Sequence, residues 1–265
     1  YSAGYPLAWE NLYPKTARFI NLPAYPWQRK HCWKETEESR AYRQGTRAGH
    51  PLLGARVNSA GMIWNSLIDL NRVSYLTDHV VCGEIVFPAA AYLEMAFEAF
   101  RKITGESHAV LENVDLKAPL LFHPGLETYL QVSIEGGEHF SVFSQLKNNA
   151  TDWTLHARGL FGGMDRNPVA RKICLEELQA RCRKQIPRDE LYEIFYKKGL
   201  AYGTAFRGVE DVWLGENEAL GRIHAESLEE AGLSGYNIHP AVLDACFQIM
   251  GAFGGEGTYL PLRFG

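Results

Sequence analysis

The sequence predicts an α+β chain in which two antiparallel sheets each curl round one long buried helix, and three observations predict it. Ala89 to Phe100, AAAYLEMAFEAF, carries only the charges Glu94 and Glu98, one turn apart. Its helix therefore has a single narrow polar stripe and must be wrapped by other structure on most sides. Pro240 to Met250, PAVLDACFQIM, repeats the pattern, with Asp244 and Gln248 as its only polar side chains. Between the two lie alternating segments, of which Thr128 to Glu135 is the clearest: Leu130, Val132 and Ile134 alternate with Gln131, Ser133 and Glu135. A buried helix followed by several antiparallel strands implies a sheet that wraps the helix. Two such units imply a duplicated fold, an inference from architecture rather than from similarity between the halves.

Residues 1–48 read as a linker. Pro6, Pro14, Pro23 and Pro26 interrupt any periodicity, and LPAYPWQR, Leu22 to Arg29, reads as extended chain. Its many rings suit a segment lying along a partner surface; a disordered arm with chance aromatics is the alternative. Lys34 to Gly49 is a charged connection without apolar period. The first folded unit then spans 49–168. It opens at His50-Pro51-Leu52-Leu53-Gly54 and continues with a strand over Ile63 to Leu70 and the helix from Ala89, with Pro88 at its first position. Further strands are predicted over Ala109 to Phe122, Thr128 to Glu135, Phe140 to Leu146 and Trp153 to Phe161. In the last, Trp153, Leu155, Ala157, Gly159 and Phe161 share one face, and Thr154, His156 and Arg158 the other.

Gly162 to Pro168 is a break, and 169–265 forms the second unit. Ile173 to Lys184 reads as an amphipathic helix, with Leu175 and Leu178 apolar and Arg181, Arg183 and Lys184 at the end that favours cations. Asp189 to Lys198 is a second short helix. Gly203, after Tyr202, marks a turn near the centre. Strands follow over Glu210 to Leu214 and Ala219 to Glu226. The second long helix follows, and the chain ends at Tyr259-Leu260-Pro261-Leu262-Arg263-Phe264-Gly265.

The 265 residues suit one large or two small domains, and 46% hydrophobic with 22% charged residues is ordinary for a globular chain. A net charge of −4 offers no general attraction to nucleic acid or anionic membrane. No apolar run approaches the roughly 20 residues of a membrane span, and the N-terminus lacks the order of a signal peptide. The five cysteines are odd in number and form no C-x-x-C pair, so neither a disulfide framework nor a metal site is expected. Reduced thiols in a cytoplasmic protein is the simplest reading. No G-x-G-x-x-G or P-loop pattern calls for a nucleotide.

Two groups carry chemistry. His79 stands just before the first buried helix, where side chains are fixed and water is scarce. By itself it also fits a satisfied structural histidine. Asp244 stands on an otherwise apolar helix, costly unless partnered or reactive, with Gln248 one turn away. A carboxyl group held by Gln248 for structure alone fits equally.

Three motifs taken together resemble the dehydratase domains of modular polyketide synthases. They are His79-x3-Gly83-x4-Pro88, Tyr202-Gly203-x2-Phe206, and His239-Pro240-x3-Asp244-x3-Gln248. The stretch LPAYPWQR is similar to the linker after the acyltransferase domain of those synthases. Thr204 stands where the family has a proline, which loosens the turn but removes no reactive group. The resemblance implies a double-hotdog fold with one active site shared between the halves. It implies elimination of water from a 3-hydroxyacyl thioester, with His79 as base at C2 and Asp244 as acid for the hydroxyl. Gly83, Pro88, Tyr202, Gly203 and Gln248 would position the substrate, Gly83 by offering an N–H at a helix N-terminus. The domain would bind no cofactor of its own. Its substrate would ride on the phosphopantetheine of an acyl carrier protein. Neighbouring megasynthase domains, and a second copy in a homodimer, would be its other partners; no nucleic acid or membrane is implied. Arg171, Lys172, Arg181, Arg183 and Lys184 are candidates for docking an acidic carrier, a solvated helix face being the other reading. In the family further strands follow the second helix, so the second hotdog is expected to be incomplete as given, or the sequence to omit its tail. A double-bond isomerase on the same scaffold, or an inactive spacing domain, are the competing readings.

Overall fold

The computed structural model describes residues 8, 11, 50–123, 125–146, 152–162, 173–224, 235–253, 257 and 260–265. Nearly all of the expected linker, the break at 163–168, and Arg171 and Lys172 lie outside the described residues. The chain divides into two units, Tyr1–Thr46 and Arg47–Gly265. In order, the second contains β1 (Ala55–Arg56), β2 (Met62–Ile68), β3 (His79–Val81), β4 (Glu84–Val86), α1 (Ala89–Thr104), β5 (Leu111–Leu116), β6 (Leu121–Phe122), β7 (Thr128–Glu135), β8 (His139–Leu146) and β9 (Thr154–Phe161). Then come α2 (Leu175–Arg181), β10 (Lys184–Pro187), α3 (Arg188–Lys197), β11 (Leu200–Tyr202), β12 (Val209–Leu214), β13 (Ala219–Ile223), α4 (Pro240–Gly251) and β14 (Arg263–Phe264).

The mixed fold with antiparallel sheets is as expected, but among the described residues the strands form three sheets rather than two. Seven strands run β1-β2-β7-β8-β9-β5-β14, three run β10-β12-β13, and four run β11-β3-β4-β6. The four-stranded sheet pairs β11, from beyond the midpoint, with β3, from before it. The two halves are thus stitched by main-chain hydrogen bonds where His79 lies.

Helix α1 packs in the first core, against Trp64, Val114, Leu130, Val132, Phe140 and Val142 of the seven-stranded sheet. Burying one such side chain contributes roughly 1.5–3 kcal/mol. Pro88 is the N-cap of α1, one residue earlier than expected. The helix runs a turn past Phe100, to Gly105, whose φ of 77° closes it in a left-handed cap. A second core gathers Ile186, Leu191, Tyr192, Phe195, Val209, Val212 and Ala245 between α3, β12 and α4.

Several expected elements are corrected. Ala109 to Phe122 is two strands that join different sheets, β5 and β6. His156 is buried, not on the polar face of β9, because a register shift opposite Val142 and Phe143 breaks the alternation. There its Nδ1 donates to Ala118 O at 2.9 Å and Ser144 Oγ lies 2.7 Å from its Nε2. The helix expected over Ile173 to Lys184 is only α2, which buries no side chain; Lys184 already begins β10. Helix α4 is not buried all round, since Cys246 is exposed and Met250 is 59% exposed. Terminal strand β14 joins β5 of the first sheet, not the second.

Candidate active site

The spacing of the first motif is the geometry of a hairpin. β3 and β4 pair with Val81 opposite Glu84, leaving Cys82 and Gly83 as a two-residue turn. Their φ values are 50° and 89°. Two positive φ values in succession suit the right-handed twist of a hairpin, and glycine takes one freely. Gly83 is therefore an exposed hairpin tip, separated from α1 by the whole of β4. This corrects its expected place at a helix N-terminus. The returning strand brings Val86 O to 2.8 Å from His79 Nδ1. A carbonyl only accepts, so Nδ1 carries a proton, and in the neutral ring the lone pair is on Nε2. Pro88, which cannot continue the ladder, then turns the chain into α1.

From the other half, α4 starts at His239, whose Nδ1 accepts from Ala241 N at 3.2 Å, with Pro240 at the first helical position. Burial pushes the His239 imidazole down to about 4, so it is neutral at ordinary pH. Asp244 and Gln248 share the inward face with Ala241 and Ala245. Asp244 Oδ1 lies 3.9 Å from His79 Nε2, and both side chains are buried. Two residues 165 positions apart thus meet in one dry site. Burial pushes the Asp244 carboxyl up, against the pull of His79 and of the hydrogen bond from Gln248 Nε2 to Oδ2 at 2.9 Å.

Tyr202 stands opposite His79 in the β11–β3 ladder, with ring centroids 5.6 Å apart. Phe206 packs on the other side at 5.0 Å. Burial, with the Asp244 carboxylate nearby, pushes the Tyr202 phenol up, so it remains a hydroxyl donor. Gly203 has an ordinary φ of −80°. Its requirement is space: a Cβ would run into the Asp78 carboxylate. Asp78 holds this loop twice, its carbonyl accepting from Gly203 N and its Oδ2 from Ala205 N, both at 2.8 Å. That cap replaces the stiffness a proline at Thr204 would give. Gly203→Ala is expected to cost about 1–3 kcal/mol through this clash. Thermal unfolding checks it, and an unchanged Tm would refute the close-approach account.

The loop that delivers α4 is held by Glu94 of α1, which is fully buried. Its Oε1 accepts from Asn237 N at 2.6 Å and lies 2.9 Å from His50 Nε2, and its Oε2 accepts from Ile238 N at 3.0 Å. The polar stripe expected on α1 is thus a binding strip for the other half.

The structure therefore brings together His79, Asp244, Gln248 and Tyr202, with Gly203 and Pro88 shaping the backbone around them and Gly83 further out. Sequence reasoning missed Asp78, Glu94 with Asn237, and Tyr192, whose hydroxyl donates to Gln248 Oε1 at 3.0 Å. Glu94 stood out only as part of a polar stripe, Asp78 only as the neighbour of His79, and Tyr192 only as a position on a short helix. Of the basic docking candidates, Arg181 is tied to Glu218 by hydrogen bonds of 2.5 and 2.8 Å. An open groove of about 560 Å3, lined by Asp78, Tyr192, Tyr196, Tyr202 and Arg207 among others, borders neither His79 nor Asp244. Among the described residues no helix is long and apolar enough to cross a membrane.

Comparison with known proteins gives the same family from both halves. A family model described as "Polyketide synthase dehydratase domain" matches residues 50–145, and one described as "Polyketide synthase dehydratase N-terminal domain" matches residues 174–265. The highly reducing polyketide synthase lcsB of Purpureocillium lilacinum is 31% identical over 93% of this chain, which spans 10% of that protein. The pikromycin synthase component PikAII of Streptomyces venezuelae is 31% identical over 94% of the chain, which spans 7% of it. The dehydratase domain from the CurF module of curacin polyketide synthase is 33% identical, with a TM-score of 0.71 and 81% of each chain covered. The dehydratase domain of a mycocerosic acid synthase-like polyketide synthase has a TM-score of 0.72 at 25% identity, covering 82% of this chain and 80% of that one. With its hairpin histidine and buried aspartate joined across the two halves, the chain belongs to the polyketide synthase dehydratase domains, a family of hydro-lyases.

Proposed function

We propose that this domain removes water from a 3-hydroxyacyl thioester carried on the phosphopantetheine arm of an acyl carrier protein, giving the 2-enoyl thioester during polyketide elongation. The observation that carries the reading is the buried approach of His79 Nε2 to Asp244 Oδ1, 3.9 Å apart. His79 Nε2 takes the proton from C2, while the Nδ1–H bond to Val86 O holds the ring in the tautomer that leaves Nε2 free. Asp244 gives its proton to the C3 hydroxyl, which leaves as water as the C2–C3 double bond forms. A carboxyl group pushed up by burial suits that donation. Gln248 orients the acid, Tyr202 borders the substrate, Gly203 and Pro88 shape the backbone, and Gly83 acts by turning the hairpin that presents His79.

Two variants of the CurK dehydratase, a histidine replaced by phenylalanine and an aspartate replaced by asparagine, are described as inactive mutants. Those residue types are the pair proposed here. The two helix-on-sheet units support a double hotdog with one shared site. The long curated relatives support neighbouring synthase domains as partners, with a carrier protein, a homodimer and a cytoplasmic setting as parts of the same reading. No bound cofactor enters any step. An isomerase would not need the acid that Asp244 supplies.

The test is incubation with a 3-hydroxyacyl carrier-protein thioester, following loss of water by mass spectrometry. No loss of water from that substrate would overturn the reading, and a double-bond shift in a 2-enoyl carrier-protein thioester supplied in its place would favour an isomerase.

A further inference from the structure

The acid is itself aimed by groups outside the three motifs. Gln248 Nε2 lies 2.9 Å from Phe206 O and 2.9 Å from Asp244 Oδ2. Its Oε1 lies 3.0 Å from the Tyr192 hydroxyl, and that hydroxyl lies 3.0 Å from Val209 N. The main chain fixes the polarity of this relay at both ends. A carbonyl only accepts, so the end of the Gln248 amide at Phe206 is its NH2. A backbone N–H only donates, so the Tyr192 oxygen accepts from Val209, and its own hydrogen goes to Gln248 Oε1 at 3.0 Å in preference to Phe206 O at 3.4 Å. The second amide hydrogen then goes to Asp244 Oδ2. In the neutral carboxyl group the proton therefore sits on Oδ1, the oxygen nearer His79.

We infer that Tyr192 is a positioning residue for dehydration: acting through Gln248, it fixes the transferable proton on the Asp244 oxygen that faces His79. The inference rests on the proposed role of Asp244 as acid. The position needs one atom that both accepts and donates, at the end of a rigid arm, which tyrosine supplies and phenylalanine does not. Tyr192 is buried, and the Arg207 guanidinium lies over its ring at 4.7 Å. Burial pushes its phenol up to about 12, so it keeps its hydrogen at working pH. The titratable and charged groups that act on Asp244 or feel it are His79 from β3, Tyr202 from β11, Tyr192 from α3 and Cys246 from its own helix. Arg188 and Arg207 act on Tyr192.

The test compares Tyr192→Phe, Gln248→Ala and the double variant in the full chain, with 3-hydroxybutyryl-pantetheine as substrate across pH. Tyr192→Phe is expected to lower kcat about tenfold with little change in KM. Its alkaline limb should move to higher pH, because the N–H that opposes the effect of burial on Asp244 is no longer aimed. The double variant should be no slower than Gln248→Ala alone, as for residues acting in series. An unchanged rate, an equal loss at every pH with the limb unmoved, or additive losses would each overturn the inference. If Tyr192→Phe does not fold, Gln248→Ala carries the test, and an unmoved limb there overturns it. Full dehydration by Asp244→Asn would instead overturn the acid assignment itself, a separate result.

Discussion

Asp244→Asn is expected to lower kcat for dehydration by about 10²–10⁴-fold while leaving the fold intact. The amide has the shape of the carboxyl group and can still present an oxygen to Gln248 Nε2, which lies 2.9 Å from Oδ2 in the parent. What it lacks is a proton to give to the leaving hydroxyl. The same substitution should reshape the pH dependence of stability. Burial raises the folded-state value of Asp244 above its unfolded value, so the folded state binds this proton more tightly. That contribution is fully present below the unfolded value and is lost as pH rises through the folded one. Asparagine has no such loss. The variant should therefore gain stability relative to the parent as pH rises, while being the less active of the two. Tm measured against pH for both proteins checks this. Parallel curves would mean that Asp244 is not held neutral by burial, and a parental kcat would remove it from the chemistry.

The parts legible in the sequence were those set by composition over a single element. α1 and α4 announced themselves by apolar runs with two polar positions each, and β7 by strict alternation. What could not be read were pairings between distant segments. The strand expected over Ala109 to Phe122 splits because its two ends meet different partners, β9 and β4. His156 turns inward because β8 and β9 slip past one another by a residue. α2 carried the leucines of an amphipathic helix, yet Leu175 is exposed and Leu178 only partly buried, so periodicity overstated its length and burial. At the site, His79, Asp244 and Gln248 stood out because each is a polar group in apolar surroundings. The hairpin that aims His79 was signalled by Cys82-Gly83 between the β-branched pairs Val80-Val81 and Ile85-Val86, a two-residue turn pattern that went unused. Tyr192 sat in an ordinary amphipathic pattern, where a core tyrosine and a hydrogen-bonding one look alike.

Glu94→Gln is expected to destabilise the domain by roughly 2–4 kcal/mol, a fall in Tm of about 5–15 °C. Four N–H groups converge on this fully buried carboxylate: His50 Nε2, Asn237 N, Asn237 Nδ2 and Ile238 N. The histidine is a donor here because its Nδ1 already accepts from Leu52 N and Leu53 N. Glutamine fills the same volume but must turn an NH2 toward at least one of these donors. Two buried donors then face each other, and neither can reach water. The damage should not stay local. Asn237 and Ile238 lie directly before the N-cap of α4, so the Glu94 clamp sets where that helix begins and hence where Asp244 stands against His79. A loose clamp is expected to lower kcat as well as Tm, since about 1 Å of misplacement at a reacting centre costs of the order of 10²-fold. Thermal unfolding and turnover measured on one preparation decide the matter. A Tm within about 1 °C of the parent, less than the roughly 2 °C that 1 kcal/mol produces at this size, would show that Glu94 is not the clamp. A lowered Tm with parental kcat would separate the clamp from the site.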